Sequence, residues 1–187
     1  SDLEIYENAL DVLVNTNRRL KSRIRSTMFM TLLMLRWNSA EKKMYYVGAG
    51  HEHLMIYRTK TLQCEIKPTG GIALGMVPDN SKLIKEIEVP LAVGDVIVLY
   101  SDGITEARNM AGEMYSLQRL QNAVERFAAQ YHADGIVNHV ALDFSHFVGS
   151  HVQDDDISLI AIRYAGDEKP DEVVENLNTS WESIAES

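Results

Sequence analysis

The sequence predicts an α+β fold, in the order one helix, a run of strands, two helices and a last strand. Three observations carry this. Apolar residues step by three and four near the start and again after residue 116. Between residues 28 and 100 they fall instead in short, partly β-branched blocks, and Gly, Pro and Asn punctuate the gaps. Most of those gaps are too short for the crossover of a dozen or more residues that a parallel pair needs, so the sheets are expected to be largely antiparallel, with helices on their outer faces.

Residues 3 to 22 place Leu3, Tyr6, Leu10, Leu13, Val14 and Leu20 on one helical face, with Asp2 able to cap the first turn. Met28 to Leu35 and Met44 to Val47, with Asn38-Ser39 between them, read as a strand hairpin. Strands are expected at His53–Tyr57 and Thr61–Lys67, turning near Thr59-Lys60. The Gly- and Pro-rich stretch from Pro68 to Pro78 is a loop. Leu83 to Val89 alternates apolar and charged residues as a half-exposed strand does, whereas Val96-Ile97-Val98-Leu99-Tyr100 is apolar on both faces and reads as a central strand. Leu117, Leu120, Val124 and Phe127 mark one later helix. Ile136, Val137, Val140, Phe144 and Phe147 mark the next, and Ile157 to Tyr164 is the last strand. These elements define one domain over residues 1–166. Residues 167–187 form a polar C-terminal tail, in which Val173, Val174, Leu177, Trp181 and Ile184 are spaced for a short helix.

Composition narrows the function classes. A net charge of −9 repels a nucleic-acid backbone, and the basic cluster Arg18, Arg19, Lys21, Arg23 and Arg25 reads as a solvated helix end. No apolar run approaches the roughly 20 residues needed to cross a bilayer. The single cysteine, Cys64, excludes an internal disulfide and a cysteine-rich zinc site, and fits a reducing, cytoplasmic setting. The opening Ser1-Asp2-Leu3 has neither an initiator Met nor a signal pattern, so the chain is expected to be a piece of a longer protein.

Two acidic sites stand at the ends of strongly apolar strands, where a charge is costly unless compensated. Asp102 directly follows Val96–Tyr100, and Asp154-Asp155-Asp156 directly precedes Ile157-Ser158-Leu159-Ile160. If those strands are neighbours, their carboxylates meet at one sheet edge. Clustered carboxylates call for a cation, and hard oxygen donors favour Mg²⁺ or Mn²⁺. The plainer reading is that Asp102-Gly103 is a turn and the triplet a surface loop. An aspartate-nucleophile phosphatase loop fails on spacing, because its first Asp would fall at Tyr100.

The run Gly94-Asp95-Val96-Ile97-Val98-Leu99-Tyr100-Ser101-Asp102-Gly103-Ile104-Thr105-Glu106-Ala107 closely resembles the signature of PPM-type, protein phosphatase 2C-like domains of the bacterial SpoIIE branch. Tyr46-Val47-Gly48-Ala49-Gly50-His51, Gly71-Ile72-Ala73-Leu74-Gly75, Gly112-Glu113-Met114-Tyr115 and Asp155-Asp156-Ile157-Ser158-Leu159 resemble further motifs of that family, in its order.

The resemblance implies an α-β-β-α sandwich with a binuclear Mn²⁺ or Mg²⁺ centre, to which Asp102 and Asp155 contribute ligands, and metal-dependent hydrolysis of phosphoserine or phosphothreonine on a regulatory protein. It points to a phosphorylated anti-sigma-factor antagonist as substrate, and to an upstream sensor or receiver domain as control. The family's earlier metal carboxylates and first strands are expected before Ser1, leaving these 187 residues with weak metal binding and no activity of their own. The alternative is a catalytically dead pseudophosphatase that binds its partner. Where the second strand of some relatives carries an Asp, this chain has Ala49-Gly50-His51, which argues against a further ion. His51 can orient a phosphate or simply pack at a strand end, and Glu106 can contact substrate or lie on the surface. A sheet edge left uncovered by missing strands can pair with a second copy to form a homodimer.

Overall fold

The computed structural model describes residues 8–153 and 155–166. Its elements are α1 (Ala9–Lys21), β1 (Leu32–Asn38), β2 (Lys43–Ala49), β3 (Leu54–Arg58), β4 (Gln63–Lys67), β5 (Ile87–Val89), β6 (Val96–Tyr100), α2 (Asp102–Thr105), α3 (Ser116–Ala128), α4 (Ala133–Val148) and β7 (Leu159–Arg163). They form two compact units. Described residues up to Leu54, with Ile66–Leu91, make the first; Met55–Glu65, with the described residues from Ala92 onward, make the second. The fold class is α+β, as expected.

In the first unit a three-stranded sheet has the order β1-β2-β5, antiparallel throughout. Alternation sets its core face: Val47 and Ala49 on β2 stand opposite Met34 and Leu32 on β1, and all four pack with Ala9, Leu13, Leu74 and Ile84. Helix α1 thereby layers onto this sheet. It starts at Asn8, whose side-chain oxygen accepts from the Asp11 N–H at 2.9 Å, while Arg18, Arg19 and Lys21 sit favourably in its last turn. The proposed cap Asp2 and the helix before Asn8 lie outside the described residues.

Two strand expectations shorten. Met28 and Phe29 are exposed, and only Met30 pairs, exchanging backbone hydrogen bonds of 3.0 and 2.8 Å with Leu74. Residues 81–83 form a turn, so only Ile87–Val89 of the expected 83–89 strand reaches β2. The buried Asn17 ties helix to loop: its Oδ1 accepts from the Gly75 N–H at 2.8 Å, and its amide donates to the Val77 and Pro78 carbonyls at 3.1 and 3.4 Å. The Pro68–Gly71 loop lies directly against β2, because a Cβ on Gly48 would stand 2.3 Å from the Thr69 carbonyl oxygen. This close approach requires glycine there.

The second unit is built on a four-stranded sheet of order β4-β3-β6-β7. β6 lies between two antiparallel neighbours, with Met55 opposite Val98 on one side and Tyr100 opposite Leu159 on the other. That is the placement its two apolar faces demand. Just before β6, Asp95 is 2% exposed and fully engaged. Its carboxylate accepts from the Thr59 N–H at 2.9 Å, the Ala92 N–H at 3.1 Å and the Arg58 guanidinium at 2.9 Å. A buried charge is tolerable only when paired and hydrogen-bonded in this way.

α4 packs on β7 and α3 on α4. The Arg163 guanidinium on β7 donates to the Ala128 and Tyr131 carbonyls, both at 2.7 Å, and so satisfies acceptors that the end of α3 leaves free.

Cys64 on β4 donates its N–H to Glu125 at 2.8 Å, and burial, aided by the Glu125 charge, pushes its thiol up to about 12. Two outcomes are expected. Iodoacetamide should label Cys64 far more slowly in the native chain than in urea, read by mass spectrometry over time. Because the folded value lies above the ordinary 9.0, this contribution to stability is complete below pH 9 and is lost as pH rises towards about 12. Urea midpoints at pH 8 and pH 11 measure that loss; equal midpoints would contradict it.

Candidate active site

The C-terminal end of β6 and the N-terminal end of β7 lie side by side, because the two strands are antiparallel neighbours in register. Ser101 extends the pairing past Tyr100. Its N–H donates to the Ser158 carbonyl at 3.0 Å, its hydroxyl donates to the Asp156 carbonyl at 3.0 Å, and the same hydroxyl accepts from the Ser158 N–H at 2.9 Å. The chain then turns into α2. Sequence periodicity does not reveal this single turn, which the Asp102-Gly103 pair makes possible.

Gly103 sits directly against the other segment: a Cβ there would stand 2.3 Å from the Asp156 carbonyl oxygen and 3.5 Å from that of Asp155. Asp102 and Asp155, distant in sequence, are therefore brought to one end of the sheet. Both are exposed. Each carboxylate takes one backbone N–H through Oδ1, Asp102 from Gly103 at 3.0 Å and Asp155 from Asp156 at 2.7 Å, so each keeps acceptor capacity. Gln153 donates its side-chain amide to the Asp155 carbonyl. Asp154 lies outside the described residues.

These donors fit a hard divalent cation in kind. They do not complete its shell: among the described residues no three His, Cys, Asp or Glu side chains gather as a metal site would need. Two carboxylates alone leave most of such a shell to other donors.

Next to Asp155 opens a cavity of about 280 Å³, also lined by Glu106, Arg108, Met114, Phe144 and Val148. One wall is a short hairpin that the sequence reading missed. Arg108 pairs with Met114, and Asn109 braces the tip by accepting from the N–H groups of Ala111 and Glu113 at 3.0 and 2.9 Å. The Asn109…Gly112 spacing is the turn signal that could have located it. At its end the buried Tyr115 donates its hydroxyl to Asp143 at 2.8 Å and sets its ring edge-on to Phe144 and Phe147, with centroids 5.2 and 5.3 Å away. Burial, then the Asp143 hydrogen bond, raises its phenol well above the ordinary range, so Tyr115 is an anchor and not an acid or base near neutrality.

Glu106 thus shares the cavity with Asp155. His51 lies in the first unit, just after β2, where its carbonyl accepts from the Thr69 hydroxyl at 2.5 Å.

The model of the family described as Stage II sporulation protein E (SpoIIE) matches residues 6–165, a span containing both aspartates and every motif above. The chain belongs to the SpoIIE family. Its resemblance to PP2C-type phosphatases therefore extends over nearly the whole domain.

Among curated proteins, this SpoIIE-family chain is 30% identical over 136 residues to Protein IcfG of Synechocystis sp., covering 72% of the chain and 20% of that protein. It is 34% identical over 111 residues to the phosphoserine phosphatase RsbU of Bacillus subtilis, covering 58% and 32%. The chain thus spans between a fifth and a third of the length of these two relatives.

Solved structures share its fold. The SiaA-PP2C domain of Pseudomonas aeruginosa aligns with a TM-score of 0.65 at 18% identity over 83% of this chain and 65% of that one. The Mn-presoaked phosphatase domain of SpoIIE from Bacillus subtilis aligns with a TM-score of 0.57 at 14% identity, over 90% and 79%. The α+β class with antiparallel sheets is the class of these PP2C domains.

Among the described residues no helix is long and apolar enough to cross a membrane.

Proposed function

We propose that the full-length protein containing this domain hydrolyses phosphoserine or phosphothreonine on a regulatory protein, with Asp102 and Asp155 holding Mn²⁺ or Mg²⁺. The observation that carries this reading is the meeting of both aspartates at the paired ends of β6 and β7, inside the span matched by the SpoIIE family. When bound, the divalent ions lower the pKa of water and neutralise charge on the phosphate oxygens. This chain's own groups supply position: the backbone N–H groups of Gly103 and Asp156 orient the two carboxylates, and the Ser101 hydroxyl locks their strand ends together.

With two carboxylates to offset two divalent charges, these 187 residues alone bind the ions weakly and turn over no substrate. The name of the RsbU relative supports phosphoserine as the substrate group. By the family resemblance, the regulatory protein is an anti-sigma-factor antagonist, the controlling element is a sensor or receiver domain elsewhere in the full-length protein, and the setting is cytoplasmic.

One rival is a pseudophosphatase that only binds its partner, which would gather the same two carboxylates among the described residues. Phosphate release from phosphoserine peptides, titrated with Mn²⁺, separates the two. The full-length protein is expected to release phosphate and the 187-residue chain to release none. Silence from the full-length protein at every Mn²⁺ concentration leaves the rival standing, and release by the shorter chain refutes its inactivity.

A further inference from the structure

We propose that the cavity between the Arg108–Met114 hairpin and the C-terminal end of α4 is a substrate subsite. It takes an apolar side chain lying within two residues of the phosphorylated one. The inference rests on the phosphatase reading, because it needs the phosphate to approach Asp155.

Size points to a side chain. At about 280 Å³ the cavity has room for a large side chain. Composition points to an apolar one: Met114, Phe144, Val148 and Val152 line it, with Glu106, Arg108, Gln153 and Asp155 on the rest of the lining. Val152 is 79% exposed and Met114 44%, so these groups face water until something covers them.

Position ties the pocket to the chemistry, since Asp155 belongs to the same lining. An extended peptide advances roughly 3.3 Å per residue, which carries neighbours one and two removed across an opening of this kind when the phosphate reaches the aspartate. Glu106 and Arg108 both share the lining, so its apolar groups and not its charges set the preference.

The wall is built in advance. Asn109 holds the hairpin tip through two backbone N–H groups and donates its amide to Glu113 at 2.8 Å, while Arg108 donates to the Gly112 carbonyl at 2.7 Å. Tyr115 pins the end of the hairpin to α4 through Asp143. A preformed wall adds selectivity without the entropy of ordering a loop on binding.

The test uses phosphoserine peptides that carry Leu or Ala at one of the two positions on either side of the phosphoserine. Calorimetry with the full-length protein and Mn²⁺ reads the affinities of their non-hydrolysable phosphonate analogues, so that nothing is turned over during the titration. Leu at one of these positions should bind about tenfold more tightly than Ala.

Val148→Asp should bring the Leu-to-Ala ratio near one. Met114→Asp, on an exposed hairpin position where folding tolerates the change, should do the same. Equal affinity for all flanks in the unmodified protein, or a ratio that survives both substitutions, overturns the subsite. Failure of the catalytic reading shows differently: the same peptides release no phosphate with Mn²⁺, while the Leu-to-Ala binding ratio stands.

Discussion

Asp102→Asn in the full-length protein is expected to lower Mn²⁺-dependent phosphate release by about 1,000-fold or more while leaving the fold unchanged. The two halves of this expectation have separate causes. Asn keeps the side-chain oxygen that accepts from the Gly103 N–H at 3.0 Å, so the local turn survives. Asp102 is exposed, and a substitution of this kind is worth no more than about 0.5 kcal/mol of stability.

The charge is what disappears. A neutral amide oxygen offsets none of a divalent ion's charge, so the ion that Asp102 would hold loses one of its charge-compensating ligands. Hydrolysis of phosphate monoesters is among the slowest uncatalysed reactions, with accelerations of up to about 10²¹ required, so each lost ligand registers directly in rate. Initial rates across a Mn²⁺ titration, beside thermal melts of both proteins, make the check. Rates within twofold of each other at saturating metal would remove Asp102 from the metal set.

Much of the frame behind this expectation was legible in the residues themselves. Val96–Tyr100 reads as a central strand because it is apolar on both faces, and it lies between β3 and β7. The later helices show their buried stripes at Leu120, Val124, Ile136, Val140 and Phe144. The neighbouring of β6 and β7 was the conditional step: periodicity states that each is a strand, and pairing decides where their ends meet.

What escaped the sequence depends on long-range partners. Met28 and Phe29 have the composition of a strand yet meet no adjacent strand among the described residues, so composition alone misplaced the start of β1. Leu83 alternates correctly and still falls in a turn, closed by its N–H donating to the Asn80 carbonyl at 2.9 Å. The Arg108–Met114 hairpin is invisible to hydrophobic periodicity, because side-chain hydrogen bonds from Asn109 build it in place of a buried face. Cys64 looked unremarkable in sequence, and only its burial beside Glu125 raises its thiol far above the ordinary range.

Gly103 is the residue through which strand pairing becomes site geometry, and Gly103→Ala should cost both stability and turnover. The added methyl would lie 2.3 Å from the Asp156 carbonyl oxygen and 3.0 Å from its carbonyl carbon. Both are backbone atoms and cannot swing aside as a side chain would, so the segments themselves must part. Overpacking of this kind costs about 1–3 kcal/mol. The Ser101 hydrogen bonds to Asp156 and Ser158 bridge the same gap, and stretching them adds about 1 kcal/mol each.

Separation of these ends also moves Asp102 away from Asp155, so Mn²⁺-dependent release should fall further than the loss of folded protein explains. Gly70→Ala provides the contrast. Its added methyl meets nothing within 4 Å, and with φ at +64° it carries only left-handed strain of about 1–2 kcal/mol, with turnover per folded molecule unchanged. Urea midpoints and rates normalised to folded protein, taken for both variants, separate a distorted site from a merely weakened fold. If Gly103→Ala loses no more rate per folded molecule than Gly70→Ala does, the contact between Gly103 and Asp156 is structural and does not set the spacing of the aspartates.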